Sequence, residues 1–191
     1  MNMYIGERGY TMDQQQLEAV VGGIAEASLI EGNHIPDIDL YMDQILTFLD
    51  ERLKDFKRQE ADKTLTKTMI NNYSKDRVLS PPVNKKYSRH HMMLFILIYH
   101  MKSMLTISDI SKVIQAIEQG GAIDSARFYE SFLALQKIEQ ASLWPDTQEK
   151  LEQVTGLQPS SGPEEDILMI LSLLIDADMK KRLAEKMIDA L

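Results

Sequence analysis

Apolar residues along this chain recur at spacings of three and four, and runs that alternate apolar with polar are almost absent, so the pattern predicts helices and little strand. Between Asp13 and Leu29, the residues Leu17, Val20, Val21, Ile24 and Leu29 predict a moderately amphipathic helix. Gly22-Gly23 weakens it, by roughly 1 kcal/mol per glycine relative to alanine. Glu31–Pro36 is a break. Pro36 is expected to open a stronger helix, Asp37–Phe56, with Leu40, Ile45, Leu46, Phe48, Leu49, Leu53 and Phe56 on its apolar stripe and the charged stretch Lys54–Asp62 ending it.

Thr66 is placed to cap a short helix, Lys67–Lys75, with Met69, Ile70 and Tyr73 on one side. Val78–Tyr87 contains Pro81-Pro82, which forbid helix and push the residues before them to extended geometry. Ser88 caps a helix that is apolar nearly all round from Met92 to Met101, the mark of a central core element. Thr106 with Asp109 resembles a capping box for Ile107–Glu118, which Gly120-Gly121 should stop. Asp124 is expected to cap a helix to Leu143 with Phe128, Phe132, Leu135 and Ile138 facing inward. Pro145 should begin a shorter element to about Val154. After the loop Gln158–Pro163, a last helix Glu164–Leu191 carries Ile167, Ile170, Leu171, Leu174, Leu183, Met187 and Ile188.

Composition changes the picture at two points. The absence of cysteine excludes disulfides, thiolate metal sites and cysteine nucleophiles, and fits a reducing cytosol. The net charge of −8 argues against nucleic acid until its distribution is read. Asp62–Lys112 holds nine lysines and arginines against three aspartates, an excess of +6, leaving −14 for the rest. A basic middle in an acidic chain is the footprint of a local polyanion-binding module, or else a solvated basic face without a partner. Met1–Tyr10 has no signal-peptide pattern, and the longest apolar run, Met92–Tyr99, is far short of the roughly 20 residues that span a bilayer. A soluble, cytoplasmic protein with no membrane partner is expected.

A short helix, an extended basic loop and a buried helix follow one another in the order of a winged-helix unit. A recognition helix needs short polar side chains and cations on its outer face. Lys67, Thr68, Asn71, Asn72 and Lys75 supply them, and Pro81-Pro82 with Lys85-Lys86 supply a stiff, charged wing. The alternative is an ordinary surface helix followed by a loop.

Leu65–Ile114 resembles the N-terminal domain of the MerR regulator family. Leu65-Thr66 fall on that family's Val-Ser, Ile70 and Tyr73 on its Leu-Arg-Tyr-Tyr run, Val78-Leu79 on its Leu-Leu turn, Lys86-Tyr87-Ser88 on the wing's end and Leu105-Thr106-Ile107 on the turn before the fourth helix. The resemblance implies a MerR-like winged helix-turn-helix core and a phosphate contact by Tyr73. With Tyr87 and Arg89 at the wing's end, the candidate DNA-binding set is Lys67, Thr68, Asn71, Asn72, Tyr73, Lys75, Lys85, Lys86, Tyr87 and Arg89. Asn71 and Asn72 stand where the family has Arg and Tyr, Arg77 replaces its Gly, and the wing is shorter, so base preference does not transfer. A second resemblance, carried by Ile35–Gln44, Thr66–Tyr73 and Lys85–Ser88 and spanning roughly Ile35 to Leu143, is to an uncharacterised bacterial family, domain of unknown function 1836.

Enzyme signals are weak. His90 and His91 are adjacent and point about 100° apart on a helix, so they read as wing-adjacent surface groups or phosphate contacts when protonated. There is no His-Glu-x-x-His and no glycine-rich phosphate loop. The expectation is a mainly α, non-enzymatic protein with no cofactor and no metal, divided into an N-terminal helix and break (1–34), a winged-helix unit (35–121) and an acidic C-terminal helical region (122–191). By analogy with MerR-type regulators, Asp124–Leu191 would dimerise, with Ile167–Leu174 as candidate seam, or form a small effector pocket, or simply pack within the chain. The expected partner is duplex DNA, bound as a homo-oligomer. A protein-interaction module of winged-helix shape is the alternative.

Overall fold

The computed structural model describes residues 12–76, 78–119 and 124–191. The expected stops at Gly120-Gly121, the substitution at Arg77 and the reading of Met1–Tyr10 lie outside these residues. The chain is mainly helical, at 70%, as the apolar spacing implied, with seven α-helices and one two-stranded sheet among the described residues. The helices are α1 (Gln14–Ala25), α2 (Met42–Arg52), α3 (Lys67–Lys75), α4 (Arg89–Met101), α5 (Ile107–Gln119), α6 (Ser125–Gly156) and α7 (Gly162–Ile188). The strands are β1 (Leu40–Tyr41) and β2 (Lys86–Tyr87), and single 3-10 turns occupy Gly32–His34 and Lys54–Phe56. No helix among the described residues is long and apolar enough to cross a membrane.

Two compact units emerge, residues 27–138 with 182–191, and residues 12–26 with 139–181. This differs from the expected boundaries at 34 and 121. Ile30 and Ile35 lie in the core of the larger unit, and so do Tyr129 and Leu133 from the start of α6. The Tyr129 hydroxyl donates to the Ile30 carbonyl at 2.8 Å, which fastens the segment after α1 into that core.

The core of the larger unit is built on α4. Met92 through Ile98 are seven consecutive buried residues, so every face of this helix needs a covering element. Ile45, Leu49 and Leu53 come from α2 and the residue after it, Ile70 and Tyr73 from α3, and Ile110, Ile114 and Ile117 from α5. Helices α3, α5 and α6 start on side chains suited to an unpaired N–H. The Thr66 hydroxyl accepts from Met69 N at 3.2 Å, Thr106 accepts from Asp109 N at 3.2 Å, and Asp124 accepts from Ala126 N at 2.9 Å.

Helix α2 begins later than Asp37, because Leu40-Tyr41 extend and pair antiparallel with β2, Leu40 opposite Tyr87 and Tyr41 opposite Lys86. Leu40 and Tyr87 point inward and Tyr41 outward, as the two-residue period of a strand requires. The Gln44 side chain then accepts from Tyr41 N at 2.9 Å, which starts the helix there. Pro145 does not begin a new element. α6 runs through it although proline lacks the N–H for the helical ladder. Two residues on, the Thr147 hydroxyl donates to the Leu143 carbonyl at 2.6 Å and Thr147 is buried.

The inner faces of the late helices also differ from expectation. In α6, Tyr129 and Leu133 face the core while Leu135 and Ile138 are exposed. In α7, Met169 and Ile188 are buried, whereas Ile167, Ile170, Leu171, Leu174, Leu183 and Met187 are exposed. Both helices carry aliphatic residues on more than one side, so spacing alone does not pick the buried stripe.

Phe95 is wholly buried in the centre of α4. Phe95→Ala should lower the free energy of unfolding by about 3–5 kcal/mol in guanidinium titration, because the surrounding helices cannot collapse onto so large a void.

Candidate nucleic-acid interface

α3 separates its residues cleanly. Ile70 and Tyr73 face the core, and Lys67, Thr68, Asn71, Asn72 and Lys75 are exposed. Positions 68, 71, 72 and 75 share one side of a helix because three- and four-residue steps return to the same face. Among the described residues, the side chains of Thr68, Asn71, Asn72 and Lys75 make no hydrogen bond or ion pair. Lys67 reaches Asp43 at 3.7 Å.

The loop expected to act as a wing is a tight β-hairpin. Val83 bridges Lys86, whose N–H donates to the Val83 carbonyl at 2.9 Å. The two residues between them, Asn84 and Lys85, both have left-handed backbone, with φ of 51° and 64°. That pair of conformations is a type I′ turn, whose twist matches antiparallel strands. Asparagine tolerates the first position. Glycine is the usual second residue, and a lysine there costs on the order of 1 kcal/mol. Lys85 therefore stands exposed at the apex in a conformation its own side chain opposes. Lys86, on the outward side of β2, lays its ammonium over the Tyr41 ring at 5.1 Å.

His91 holds the foot of this loop. Its Nδ1 accepts from the Ser88 backbone N–H at 3.2 Å, and its Nε2 lies 3.0 Å from the Ser80 carbonyl. A backbone N–H can only donate and a carbonyl can only accept, so the neutral ring with its proton on Nε2 satisfies both contacts. The ring also packs edge-on against Tyr87 at 5.5 Å. Burial holds the His91 pKa below its ordinary value, against the pull of the Ser80 carbonyl. One imidazole thus ties the start of the loop at Ser80 to its end at Ser88.

Several expected contacts are corrected. Tyr73 and Tyr87 are only 3% and 5% exposed, so neither ring meets a phosphate, and both instead root α3 and the hairpin in the common core. His91 is likewise buried and is not a surface group. Arg89 is drawn inward, donating to the Gly32 carbonyl at 2.8 Å and pairing with Asp37 at 3.7 Å. His90 lies 3.5 Å from Glu118. What remains outward is the polar face of α3 with Lys85 and part of Lys86. Asn84, Val83 and Tyr41 are exposed as well and were not anticipated. Asn84 had a legible signal, an asparagine two residues after Pro82 where a turn needs left-handed backbone. Tyr41 had none, since its strand was hidden in an apparent helix.

A family model described as a domain of unknown function (DUF1836) matches residues 30–132, just over half the chain and nearly all of the larger unit's continuous span. No curated protein and no solved structure matches the chain.

Two buried histidines give the fold a pH dependence. His91 and His100 are both held neutral by burial, and His100, walled by Phe56, Tyr99 and Phe132, is pushed down to about 4. With a depressed folded pKa, the unfolded chain takes up the proton first, so their contribution is complete above the ordinary value of 6.5 and is lost as pH falls toward about 4. Urea midpoints should fall between pH 7 and 4.5, and His100→Phe should flatten part of that slope.

Proposed function

The chain belongs to the DUF1836 family, and from the geometry of α3 and its hairpin we propose that it is a DNA-binding regulatory protein with a MerR-like winged-helix core. In this reading α3 lies in the major groove of duplex DNA. Its nine residues make a rod about 13 Å long, on the scale of a groove about 12 Å wide. Asn71 and Asn72 would read base edges, where an asparagine pairs bidentately with adenine, and Thr68 would contact either a base or the backbone. Lys75 and Lys85 would neutralise phosphates on either flank, with Lys67 and Lys86 as further cations. The order α2, α3, hairpin, α4, α5 supports this reading, because it is the order that a winged-helix unit uses. Regulation would follow from occupancy of a site, with no catalytic step and no cofactor.

The observation that carries the reading is Lys85. A lysine held in left-handed backbone at the tip of a hairpin, where glycine would be more comfortable, is a local cost with no compensating contact among the described residues. A cation required at that point by an external anion accounts for it.

One observation favours a second reading, a protein-interaction module of the same shape without DNA. Asp43 and Asp37 already pair with Lys67 and Arg89, and the chain as a whole is acidic. Such a partner would engage the asparagine face while ignoring salt.

The two readings separate on salt and on Lys85. Fluorescence anisotropy with duplexes selected from a random pool should show binding at low salt that weakens steeply as salt rises. Lys75→Ala and Lys85→Ala should each reduce the log–log salt slope by about one, and Asn71→Ala should cost about 1–3 kcal/mol of discrimination at one base pair. Lys85→Gly should weaken DNA binding while leaving folding stability unchanged or raising it by up to about 1 kcal/mol. No binding at low salt would overturn the DNA reading.

A further inference from the structure

The free face of α3 is built from few kinds of side chain. On a helical wheel of about 100° per residue with Thr68 at zero, Lys75 falls at about −20°, Asn71 at about −60° and Asn72 at about +40°. The buried pair, Ile70 and Tyr73, lies on the opposite side. Lys67 falls at about −100°, off this face. There Asp43 pairs with it at 3.7 Å. The outward face therefore offers two amides, one hydroxyl with its methyl, and one ammonium at the last turn. It carries no arginine and no carboxylate. Asparagine is among the poorer helix formers, and this adjacent pair has no compensating contact among the described residues.

Base edges in the major groove discriminate among these groups. Adenine presents an acceptor, N7, beside a donor, its N6 amino group, and a side-chain amide presents a donor beside an acceptor. Guanine presents two acceptors, N7 and O6, so an amide that donates to one sets its own oxygen against the other. Guanine suits arginine or lysine, and cytosine suits a carboxylate. Thymine offers a C5 methyl, which the methyl of Thr68 matches. Asn71 and Asn72 diverge by about 100°, so they reach different base pairs. Lys75 lies about 12 Å along the axis from Lys67, which is the width of the groove. A helix laid across that groove brings both cations to its phosphate walls and leaves the centre to Thr68, Asn71 and Asn72.

We propose that the duplex taken by this protein is an A·T site, in which Asn71 and Asn72 hold the adenines of two different base pairs and Thr68 packs on a thymine methyl. This rests on the DNA reading above and adds to it the class of sequence recognised.

Competition anisotropy on the full chain tests it, at one low salt concentration and with a labelled mixed-sequence duplex as probe. Alternating dA-dT and dG-dC duplexes of equal length serve as competitors. The dA-dT duplex should displace the probe at a concentration lower by about tenfold or more. Asn71→Ala and Asn72→Ala should each shrink that ratio by roughly fivefold or more. Circular dichroism should not change, because both side chains are exposed. Lys75→Ala should weaken both duplexes by the same factor, as loss of a phosphate contact does. Changes to the bases separate direct reading from groove shape. Replacing adenine with 7-deaza-adenine removes N7, which should weaken binding by the natural chain and leave the Asn71→Ala, Asn72→Ala double variant unaffected. Replacing thymine with uracil removes the methyl, which should weaken the natural chain and leave Thr68→Ser unaffected. No binding to either duplex at low salt overturns the DNA reading itself. Binding without preference, or with preference for dG-dC, leaves that reading standing and overturns the A·T site. A dA-dT preference that survives both 7-deaza-adenine and the loss of the two asparagines overturns it as well.

Discussion

The all-round burial of α4 is the constraint on which the larger unit depends. A helix with seven successive buried residues cannot sit at a surface, so neighbouring elements must close over it. α2, α3, α5 and the first turns of α6 each contribute aliphatic or aromatic residues to that closure. The chain entering α4 is the hairpin, and Tyr87 at its end is itself part of the core. Position and stiffness of the hairpin are therefore consequences of how α4 is buried, transmitted through Tyr87 and the His91 contacts with Ser80 and Ser88.

The same constraint explains why the candidate surface is small and polar. Once Ile70 and Tyr73 are committed to the core, α3 has one free side, and that side holds threonine, two asparagines and lysines. The tyrosines and Arg89 are consumed in building the platform. Arg89 spends its guanidinium on Gly32 and Asp37, where it braces the segment before β1 against the start of α4. Charge counted along the sequence overstates what is available at the surface. Two of the cations in the basic segment or beside it already face aspartates, and Lys86 is partly satisfied by the Tyr41 ring.

In the smaller unit the balance runs the other way. α1, the later part of α6 and the earlier part of α7 bury few residues, notably Val21, Thr147, Val154 and Met169. Polar contacts do much of the positioning, among them Lys150 and Lys180 with Asp176, Thr155 with Glu165, and Met12 N with Asp166. A unit held in this way leaves aliphatic side chains in water. Exposed Val20 and Ile24 on α1 add to those of α7.

Local physics in the sequence determined the helix starts and the sidedness of the short elements. Thr66, Ser88, Thr106 and Asp124 announced their helices because a cap is a matter of three or four adjacent residues. The polar face of α3 was legible for the same reason, since Ile70 and Tyr73 leave little choice of side. Leu40-Tyr41 could not be recognised as a strand, because its partner, Lys86-Tyr87, lies more than forty residues away and two residues carry no period. Proline at 145 argued for a break that packing overrode. Whether Tyr73 and Tyr87 meet a ligand or the core, whether Arg89 is free, and which side of α7 is covered depend on what else approaches those side chains in space. Only the tertiary structure decided these, because burial belongs to a pair of surfaces and a sequence displays one surface at a time.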